Sequence, residues 1–473
     1  MSDIIRFYCS DYQSKESIDK DCWDFLTELQ ESLDEDSTGI YKIDISGSAA
    51  EFSDRKEKIS LINSARTMTD KYAGLITYKG RTLLIRSRFD SEGGGMYFLN
   101  HILHKCGIAS VVSFDNSPGA RTDDVSGIDK IIAAVFLSML KEAFSVGVYR
   151  QYRSFEYNDS SPKGQINIAR HIRLNPVSNG KVAYSPREYT VNNPVNRLIL
   201  TAWQLLSRAG GAAVMININR EYRKPIDFLK AELGYQPIDR RSLNNILLQA
   251  EDPVVHPVYR RYEELRRLCI EIVRQFKCEL FRESSRKAVG ILFDMNNMWE
   301  LFIEKNELIK DARPRDESMD ILYADDNSGG KGKVILEPDF CVGEKGGYKA
   351  VFDAKYKKKW GRVYKGESWD MREDTFQLIS YICCYNVRVG GIVFPMYRTA
   401  ENEALPHSRR YTLHKDGSER NFLLMPFFLP DADGCRSQEQ YESLMKECVE
   451  SFRSEYSDRY AELIIESPPD SAS

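Results

Sequence analysis

Two aspartates and a lysine lie where two predicted strands should bring them together. Asp339 interrupts an apolar run, while Asp353 and Lys355 end the next apolar run with Ala354 between them. Residues i and i+2 of a strand point to the same face, so Asp353 and Lys355 should project together. A hairpin partner strand can then set Asp339 beside them. Such a set is costly to desolvate unless it binds something, and a divalent cation is the natural occupant.

The chemistry expected of this set is phosphodiester hydrolysis. Mg²⁺ takes hard oxygen ligands from one or two carboxylates and keeps several waters, and Mn²⁺ is the expected substitute. A neighbouring lysine can orient or help deprotonate an attacking water, while the metal stabilises charge on a phosphoryl oxygen. The competing structural interpretation is a buried ion pair at a sheet edge.

The elements that must position these residues are predicted over about residues 290–400. Asp294 can cap a helix, Gly346 and Gly347 can form a hairpin turn, and apolar patterning indicates the remaining elements. The predicted order is helix, strand, strand, strand, helix and strand, at 294–303, 320–324, 334–342, 348–356, 372–385 and 391–396.

The whole chain has the composition of a multidomain globular protein. It has 473 residues, of which 42% are hydrophobic and 29% charged, and at roughly 150 residues per domain about three domains are expected. The fold class predicted is α/β. The expected parts are a mixed α+β N-terminal region at residues 1–120, a mainly helical middle region at 128–285, a C-terminal core with a mixed sheet flanked by helices at 286–465, and a disordered tail at 466–473.

The net charge of −4 argues against a simple, strongly basic nucleic-acid binder. The charge is uneven, however: residues 331–365 carry a net +6, between acidic ends of −8 over residues 1–60 and −7 over residues 431–473. Four basic side chains just beyond the second apolar run are candidate phosphate contacts. They are Lys357, Lys358, Lys359 and Arg362.

Several common features are absent from the sequence. The N-terminus lacks the pattern of a signal peptide, and no apolar stretch is long enough for a transmembrane helix. The ten cysteines form no Cys-x-x-Cys pair, which favours reduced cysteines in a cytoplasmic protein. Gly329–Lys333 lacks the spacing of a phosphate-binding loop, so the chain itself is not expected to bind a nucleotide.

The ordered residues resemble the PD-(D/E)xK nuclease signature. Pro338-Asp339 followed by Asp353-Ala354-Lys355 matches its strand pair, and Gln377 and Tyr381 resemble its Gln-x-x-x-Tyr element on the following helix. Glu300 matches the place where many branches carry another metal-site carboxylate. The resemblance implies catalytic roles for Asp339, Asp353, Lys355, Glu300 and Gln377, with the three carboxylates as metal ligands. The role of Tyr381 stays open.

Longer stretches resemble the McrC family, the nuclease subunits of modification-dependent McrBC restriction systems. These stretches are GILFDMNNMWELF, LEPDF, VFDAKYK and DTFQLISY, with weaker similarity at Lys163–Ile166 and Tyr189–Arg197. The resemblance implies cleavage of foreign DNA together with a McrB-like AAA+ GTPase ring. It also implies that the N-terminal part, residues 1–120, docks on that ring and stimulates GTP hydrolysis.

Two alternatives remain open from the sequence. One is a PD-(D/E)xK nuclease that acts alone in repair or recombination. The other is a non-cleaving adaptor that activates the GTPase and positions it on DNA.

Overall fold

The computed structural model describes residues 5–35, 40–43, 59–90, 96–105, 124–209, 220–281, 288–314, 319–322, 334–344, 346–357, 359–367, 371–397, 409–415 and 418–465. These residues form helices and mixed sheets, which confirms the α/β class. No helix in these ranges is long and apolar enough to cross a membrane. Lys358 and the predicted tail lie outside the described residues.

The elements are numbered in chain order. The helices are α1 (Lys20–Glu35), α2 (Tyr97–Lys105), α3 (Asp124–Ser145), α4 (Ile168–Leu174), α5 (Pro194–Ala209), α6 (Arg220–Leu233), α7 (Arg240–Gln249), α8 (Arg260–Phe281), α9 (Met295–Lys305), α10 (Lys359–Lys365), α11 (Arg372–Cys384) and α12 (Gln438–Ile465). The strands are β1 (Ile5–Ser10), β2 (Ile40–Ile43), β3 (Tyr72–Tyr78), β4 (Arg81–Arg86), β5 (Gln151–Ser154), β6 (Tyr157–Asp159), β7 (Gln165–Ile166), β8 (Val182–Ser185), β9 (Arg187–Thr190), β10 (Val289–Asp294), β11 (Ala312–Pro314), β12 (Met319–Leu322), β13 (Val334–Leu336), β14 (Phe340–Glu344), β15 (Gly347–Ala354), β16 (Val389–Tyr397), β17 (Arg409–Lys415) and β18 (Ser418–Leu429).

The N-terminal sheet has five strands in the order β1-β4-β3-β10-β2. The β3–β4 hairpin turns at Lys79 and Gly80, both with positive φ. Strand β10 pairs with β3 and β2, although it is distant from both in sequence. Residues 289–294, which the sequence analysis grouped with the nuclease region, therefore complete the N-terminal sheet.

The N-terminal sheet is covered on both faces. Helix α1 buries Trp23, Phe25, Leu26 and Leu29 against one face. The helices of the middle region lie against the other face, where α8 packs on β10 and also contacts α3, α5 and α7. The middle region also contains two small sheets, β5-β9 and β6-β8-β7, beside its helices.

The C-terminal sheet has six strands in the order β11-β14-β15-β16-β18-β17 and mixes parallel with antiparallel pairs. Alternate residues of its strands face opposite layers, as period-two geometry requires. Val351 and Ile392 share a core with α10 and α11, while Phe352 and Val393 share a core with α9 and α12. Helices therefore flank both faces of this sheet.

The predicted strand 334–342 is wrong as a single element. It divides into β13, which pairs with β12, and β14, which pairs with β15. Pro338 lies in the break, and a proline supplies no N–H to a strand ladder. The predicted strand 348–356 ends earlier, at Ala354, so Lys355 lies just beyond the sheet. Helix α10 and the elements after residue 397 are additions that the sequence analysis did not predict.

Arg420 ties the C-terminal end of α11 to the sheet. This buried side chain donates from Nη1 to the carbonyl oxygens of Ile382 (3.0 Å) and Val387 (2.9 Å), and from Nη2 to Asn386 Oδ1 (2.7 Å). Carbonyl groups at a helix C-terminus lack intrahelical partners and carry the negative end of the helix dipole, so a buried cation is stabilised there. Arg420 thereby fixes the helix that carries Gln377 and Tyr381.

Replacing Arg420 by methionine should destabilise the fold by about 2–4 kcal/mol, because it removes three hydrogen bonds that a buried cation makes to Ile382, Val387 and Asn386. The free energy of unfolding in urea measures this change. Arg436→Met, which removes an exposed arginine, is the matched control and should change stability by less than about 0.5 kcal/mol. Equal stability of the two variants would show that Arg420 does not hold α11.

Candidate active site

The candidate catalytic residues meet at the end of β15, beside the break before β14. Phe340 pairs with Phe352 in the β14–β15 ladder, and one further step along this register sets Asp339 opposite Asp353. A pocket of about 210 Å³ opens there. It is lined by Asn296, Glu300, Glu337, Asp339, Asp353, Ala354, Lys355, Tyr356, Lys357, Gln377 and Tyr381. All five predicted catalytic residues thus line one pocket.

The two aspartates are held in direct contact. Asp339 Oδ2 accepts a hydrogen bond from the backbone N–H of Ala354 at 2.8 Å, which turns the carboxyl group toward β15. Asp353 is buried, and its carboxyl group lies beside that of Asp339, whose charge adds to the effect of burial in raising its pKa.

Burial and neighbouring charges shift the pKa values of both aspartates. Burial raises the pKa of Asp339 to about 6, and the charge of Glu300 adds to the rise, against the opposing influence of Asp353, the Ala354 N–H and Lys355. Burial, and next the charge of Asp339, raise the pKa of Asp353 well above its usual range. Like charges this close cannot both ionise without cost.

Lys355 bridges the aspartates and α11. Its Nζ lies 2.6 Å from Asp353 Oδ2 and donates to Gln377 Oε1 at 3.0 Å. Burial alone would lower the pKa of Lys355, but the charge and hydrogen bond of Asp353, together with the charge of Asp339, outweigh it and leave the pKa raised. Lys355 is therefore an ammonium group held in a fixed position.

Gln377 and Tyr381 form a hydrogen-bonded chain behind the lysine. Gln377 Nε2 donates to Tyr381 OH at 2.8 Å, and Tyr381 OH donates to the carbonyl oxygen of Glu337 at 3.0 Å. Their i,i+4 spacing places both on one face of α11. The chain connects Lys355 to the segment that carries Asp339. Tyr381, whose role the sequence left open, thus supports the pocket through Gln377 and Glu337.

The pocket fits a small divalent cation through two carboxylates. Asp339 and Asp353 offer hard oxygen ligands, and Mg²⁺ needs only one or two carboxylates when it keeps its waters. Within the described residues, no group of three or more histidine, cysteine, aspartate and glutamate side chains is arranged to hold a metal ion. Glu300 lines the pocket and acts on Asp339 through its charge.

The predicted DNA-contact residues differ in their surroundings. Lys357 Nζ is paired with the buried carboxylate of Asp374, at 2.7 and 3.0 Å. Lys359 is exposed at the start of α10. Arg362 is also exposed, with Nε 3.3 Å from Glu367 Oε2. Lys359 and Arg362 therefore present their charge to solvent. Lys357 instead joins α11 to the segment that follows β15, residues 355–357.

A groove of about 1070 Å³ adjoins the pocket, and Lys357 lines both. Among the described residues, six basic and three acidic side chains line the groove, and Arg88, Lys365 and Arg372 are the basic ones that the sequence analysis missed. Arg88 follows β4 in an apolar stretch, where no sequence pattern indicated that it reaches a distant site. Asn296 of α9 was missed in the pocket for the same reason.

Replacing Asp339 by asparagine keeps an oxygen for the Ala354 N–H and removes one buried charge. The folded-state pKa of Asp339, about 6, lies above its ordinary value of 3.8. The ionised carboxylate therefore costs stability at neutral pH, and this cost disappears as the pH falls through 6 toward 4. With a chelator present, we expect Asp339→Asn to be more stable than wild type at pH 7.5 by about 1–3 kcal/mol.

This advantage should shrink as the pH is lowered to 4.5, as measured by urea unfolding at both pH values. The exposed Asp252→Asn is the matched control and should behave as wild type at both. An Asp339→Asn variant no more stable than wild type at pH 7.5 would contradict this account of the site.

The chain matches a family model and is similar to solved structures. A refined half-complex from a tetradecameric assembly of Thermococcus gammatolerans McrB AAA+ hexamers with bound McrC contains a chain that is 15% identical, with a TM-score of 0.47. That alignment covers 96% of this chain and 99% of the other. A chain in the cryo-EM structure of the Thermococcus gammatolerans McrBC complex is 17% identical, with a TM-score of 0.33 and coverage of 65% and 87%.

None of the curated proteins compared with the sequence matches it. The family model is that of the McrBC 5-methylcytosine restriction system component, and it matches residues 67–395. This range contains the whole candidate site and more than half of the chain, which confirms the resemblance to McrBC systems. The chain therefore belongs to the McrBC 5-methylcytosine restriction system component family.

Proposed function

We propose that this chain is a Mg²⁺-dependent DNA endonuclease with a PD-(D/E)xK core, the McrC-type cleavage subunit of a McrBC-like restriction complex. The observation that carries the proposal is the convergence of Asp339, Asp353 and Lys355 in one pocket, with Lys355 Nζ 2.6 Å from Asp353 and 3.0 Å from Gln377. Family membership supports a role in restriction.

In the proposed reaction, Asp339 and Asp353 would hold Mg²⁺, with Glu300 in the lining of the same pocket. The bound ion would polarise a phosphoryl oxygen and lower the pKa of a bound water. Both aspartates would be ionised in the cation-bound site, and their negative charge would make the pocket selective for cations.

Lys355 would orient the attacking water or stabilise the phosphoryl oxygen. An ammonium group has three N–H donors, and Asp353 and Gln377 engage two of them. The third is then available to the substrate. Because its pKa is raised, Lys355 acts as a fixed positive charge rather than as a base. Gln377 holds the ammonium in place, and Tyr381 holds Gln377.

The groove beside the pocket would receive the sugar–phosphate backbone of DNA. Lys359 and Arg362 lie on α10 at its wall, and Arg372 lies at the start of α11. Phosphate contacts of this kind position a duplex without reading its sequence. Recognition of a modified base would then belong to the partner.

The partner that we propose is a McrB-like AAA+ GTPase ring, on the grounds of family membership and the McrC resemblance. The chain lacks a phosphate-binding loop in its sequence, so nucleotide hydrolysis would be the work of the ring. Docking and GTPase stimulation by residues 1–120 are part of the proposal, as is action in the cytoplasm.

Asp353→Asn should abolish DNA cleavage while leaving the GTPase stimulation intact, since it removes a metal ligand but not a docking surface. We expect cleavage of modified DNA, with the ring partner, GTP and Mg²⁺, to fall at least about 100-fold. Single-turnover cleavage and GTP hydrolysis are measured on the same complex. The exposed Asp252→Asn is the control and should leave both rates unchanged.

The same experiment separates the alternatives. Equal cutting by Asp353→Asn and wild type would reject the site assignment. Efficient cutting without the ring and GTP would favour a nuclease that acts alone. GTPase stimulation without cutting or divalent-cation binding by the wild type would favour a non-cleaving adaptor.

Charge reversal in the groove should weaken DNA binding without changing the chemical step. For Lys359→Glu and Arg362→Glu we expect a higher KM for DNA, a kcat close to wild type, and a salt dependence of binding reduced by about one ion per lost contact. Fluorescence anisotropy across a salt series measures the slope. Lys446→Glu, on an exposed part of α12, is the control. An unchanged slope in both groove variants would exclude this path for DNA.

A further inference from the structure

Tyr356 connects the segment that follows β15, residues 355–357, to the N-terminal sheet. Its two neighbours both reach α11: Lys355 donates to Gln377, and Lys357 donates to Asp374. Successive side chains of an extended segment point to opposite sides, so the Tyr356 ring turns the other way. There it lies among residues that follow β4 of the N-terminal sheet.

The Tyr356 side chain is fully enclosed at this junction. Its hydroxyl lies 2.8 Å from Ser87 Oγ. Its ring packs edge-on against Phe89, at 5.4 Å between centroids, and is stacked near Phe98 at 6.3 Å. The tyrosine is 1% exposed. A ring enclosed in this way fixes the direction of the chain directly after Lys355.

Arg88 contacts both the ring and the backbone of Tyr356. Its guanidinium carbon lies 4.4 Å from the Tyr356 ring centroid and 4.8 Å from that of Tyr12. Its Nη2 donates to the carbonyl oxygen of Tyr356 at 2.6 Å. Its own backbone N–H donates to the buried carboxylate of Asp11 at 2.5 Å. The guanidinium thus contacts the rings of Tyr356, Tyr12 and Phe89 and donates to one carbonyl oxygen.

The remaining donors of Arg88 indicate that this contact has a special role. Its Nε and Nη1 are buried and have no hydrogen-bond partner in the part of the chain that the structure describes. A partly buried guanidinium is costly unless its donors are satisfied, and a bidentate carboxylate pair is the usual arrangement. Arg88 instead donates a hydrogen bond from Nη2 to the carbonyl oxygen of Tyr356.

The backbone of Lys355 is therefore held from two directions. On one side its N–H donates to the carbonyl oxygen of Val393 on β16, at 2.9 Å. On the other side, Arg88 holds the next residue by its carbonyl group and its ring. The place of the ammonium group between Asp353 and Gln377 depends on both restraints, because Lys355 lies beyond the last strand residue, Ala354.

We infer that Arg88 is a positioning residue for Lys355, so that the N-terminal sheet is a structural part of the active site and not only a region for docking. The inference rests on the proposed function, since it concerns the lysine of that site. Arg88 contacts neither Asp339 nor Asp353, so its effect on Lys355 would pass through Tyr356. A small displacement of a catalytic group is enough to lower a rate about 100-fold.

The test compares Arg88→Met with Arg88→Lys in the full complex with the ring partner, GTP, Mg²⁺ and DNA. Methionine keeps the apolar contact with the rings but loses the bond to the Tyr356 carbonyl. We expect kcat to fall about 10- to 100-fold, with KM for DNA within about twofold of wild type. Arg88→Lys, which keeps a donor, should recover part of kcat. Arg436→Met, which removes an exposed arginine outside residues 1–120, is the control and should match wild type.

A second measurement does not depend on cleavage. Mass spectrometry follows the acylation of Lys355 by a small amine-reactive ester in the folded protein. A lysine released from its restraints should react several-fold faster in Arg88→Met than in wild type, and at an intermediate rate in Arg88→Lys. Melting temperatures identify a variant that fails to fold, and in that case Arg88→Lys alone decides the result.

The outcomes are distinct. A lower kcat with faster labelling of Lys355 supports the inference. An unchanged kcat, or a raised KM with an unchanged kcat, overturns it, because Arg88 would then be a bystander or a DNA contact. If wild type does not cut DNA, the proposed function fails. The labelling rates then decide separately whether Arg88 holds Lys355, and equal rates in wild type and Arg88→Met reject it.

Discussion

The burial of two carboxyl groups in contact with each other is the interaction on which the rest of this site depends. Asp339 and Asp353 lie side by side, and burial raises the pKa of both. Such a pair opposes folding unless a proton, a lysine or a cation compensates it. Lys355 supplies part of that compensation at 2.6 Å. The pocket therefore keeps two buried acidic groups at a cost in stability, as functional sites commonly do.

The surrounding architecture holds this unfavourable arrangement from three sides. The β14–β15 ladder sets the aspartates opposite each other, and the Ala354 N–H fixes the carboxyl group of Asp339. Helix α11 holds the lysine through Gln377 and is itself held at its C-terminal end by Arg420. The N-terminal sheet closes the third side at Tyr356. Rigid elements on every side keep the charges from relaxing apart, which is what preorganisation for catalysis requires.

The local pattern of the sequence was enough to predict the core of the site. Asp353 and Lys355 bracket one alanine at a strand end, and period two alone places them on one face. Gln377 and Tyr381 fit the period of a helix. Local pattern could not predict the break at Glu337–Asp339, because an apolar run with one proline resembles a continuous strand. Nor could it place Arg88 or β10, since their contacts join residues more than 200 positions apart, as in the Arg88–Tyr356 bond.

The distribution of charge bears on how such a nuclease would meet its substrate. The groove is basic, but Asp374 neutralises Lys357 and Glu367 faces Arg362, so much of its positive charge is already engaged. Surface charges in such pairs attract a distant polyanion weakly, and salt screens them further. The net charge of −4 adds no long-range attraction for DNA. If the groove receives DNA as proposed, its own attraction for DNA would be weak, and a partner that raises the local concentration of DNA there would compensate. Delivery by the proposed ring would meet that need, and the same weakness would protect unmodified DNA from cleavage when the ring is absent.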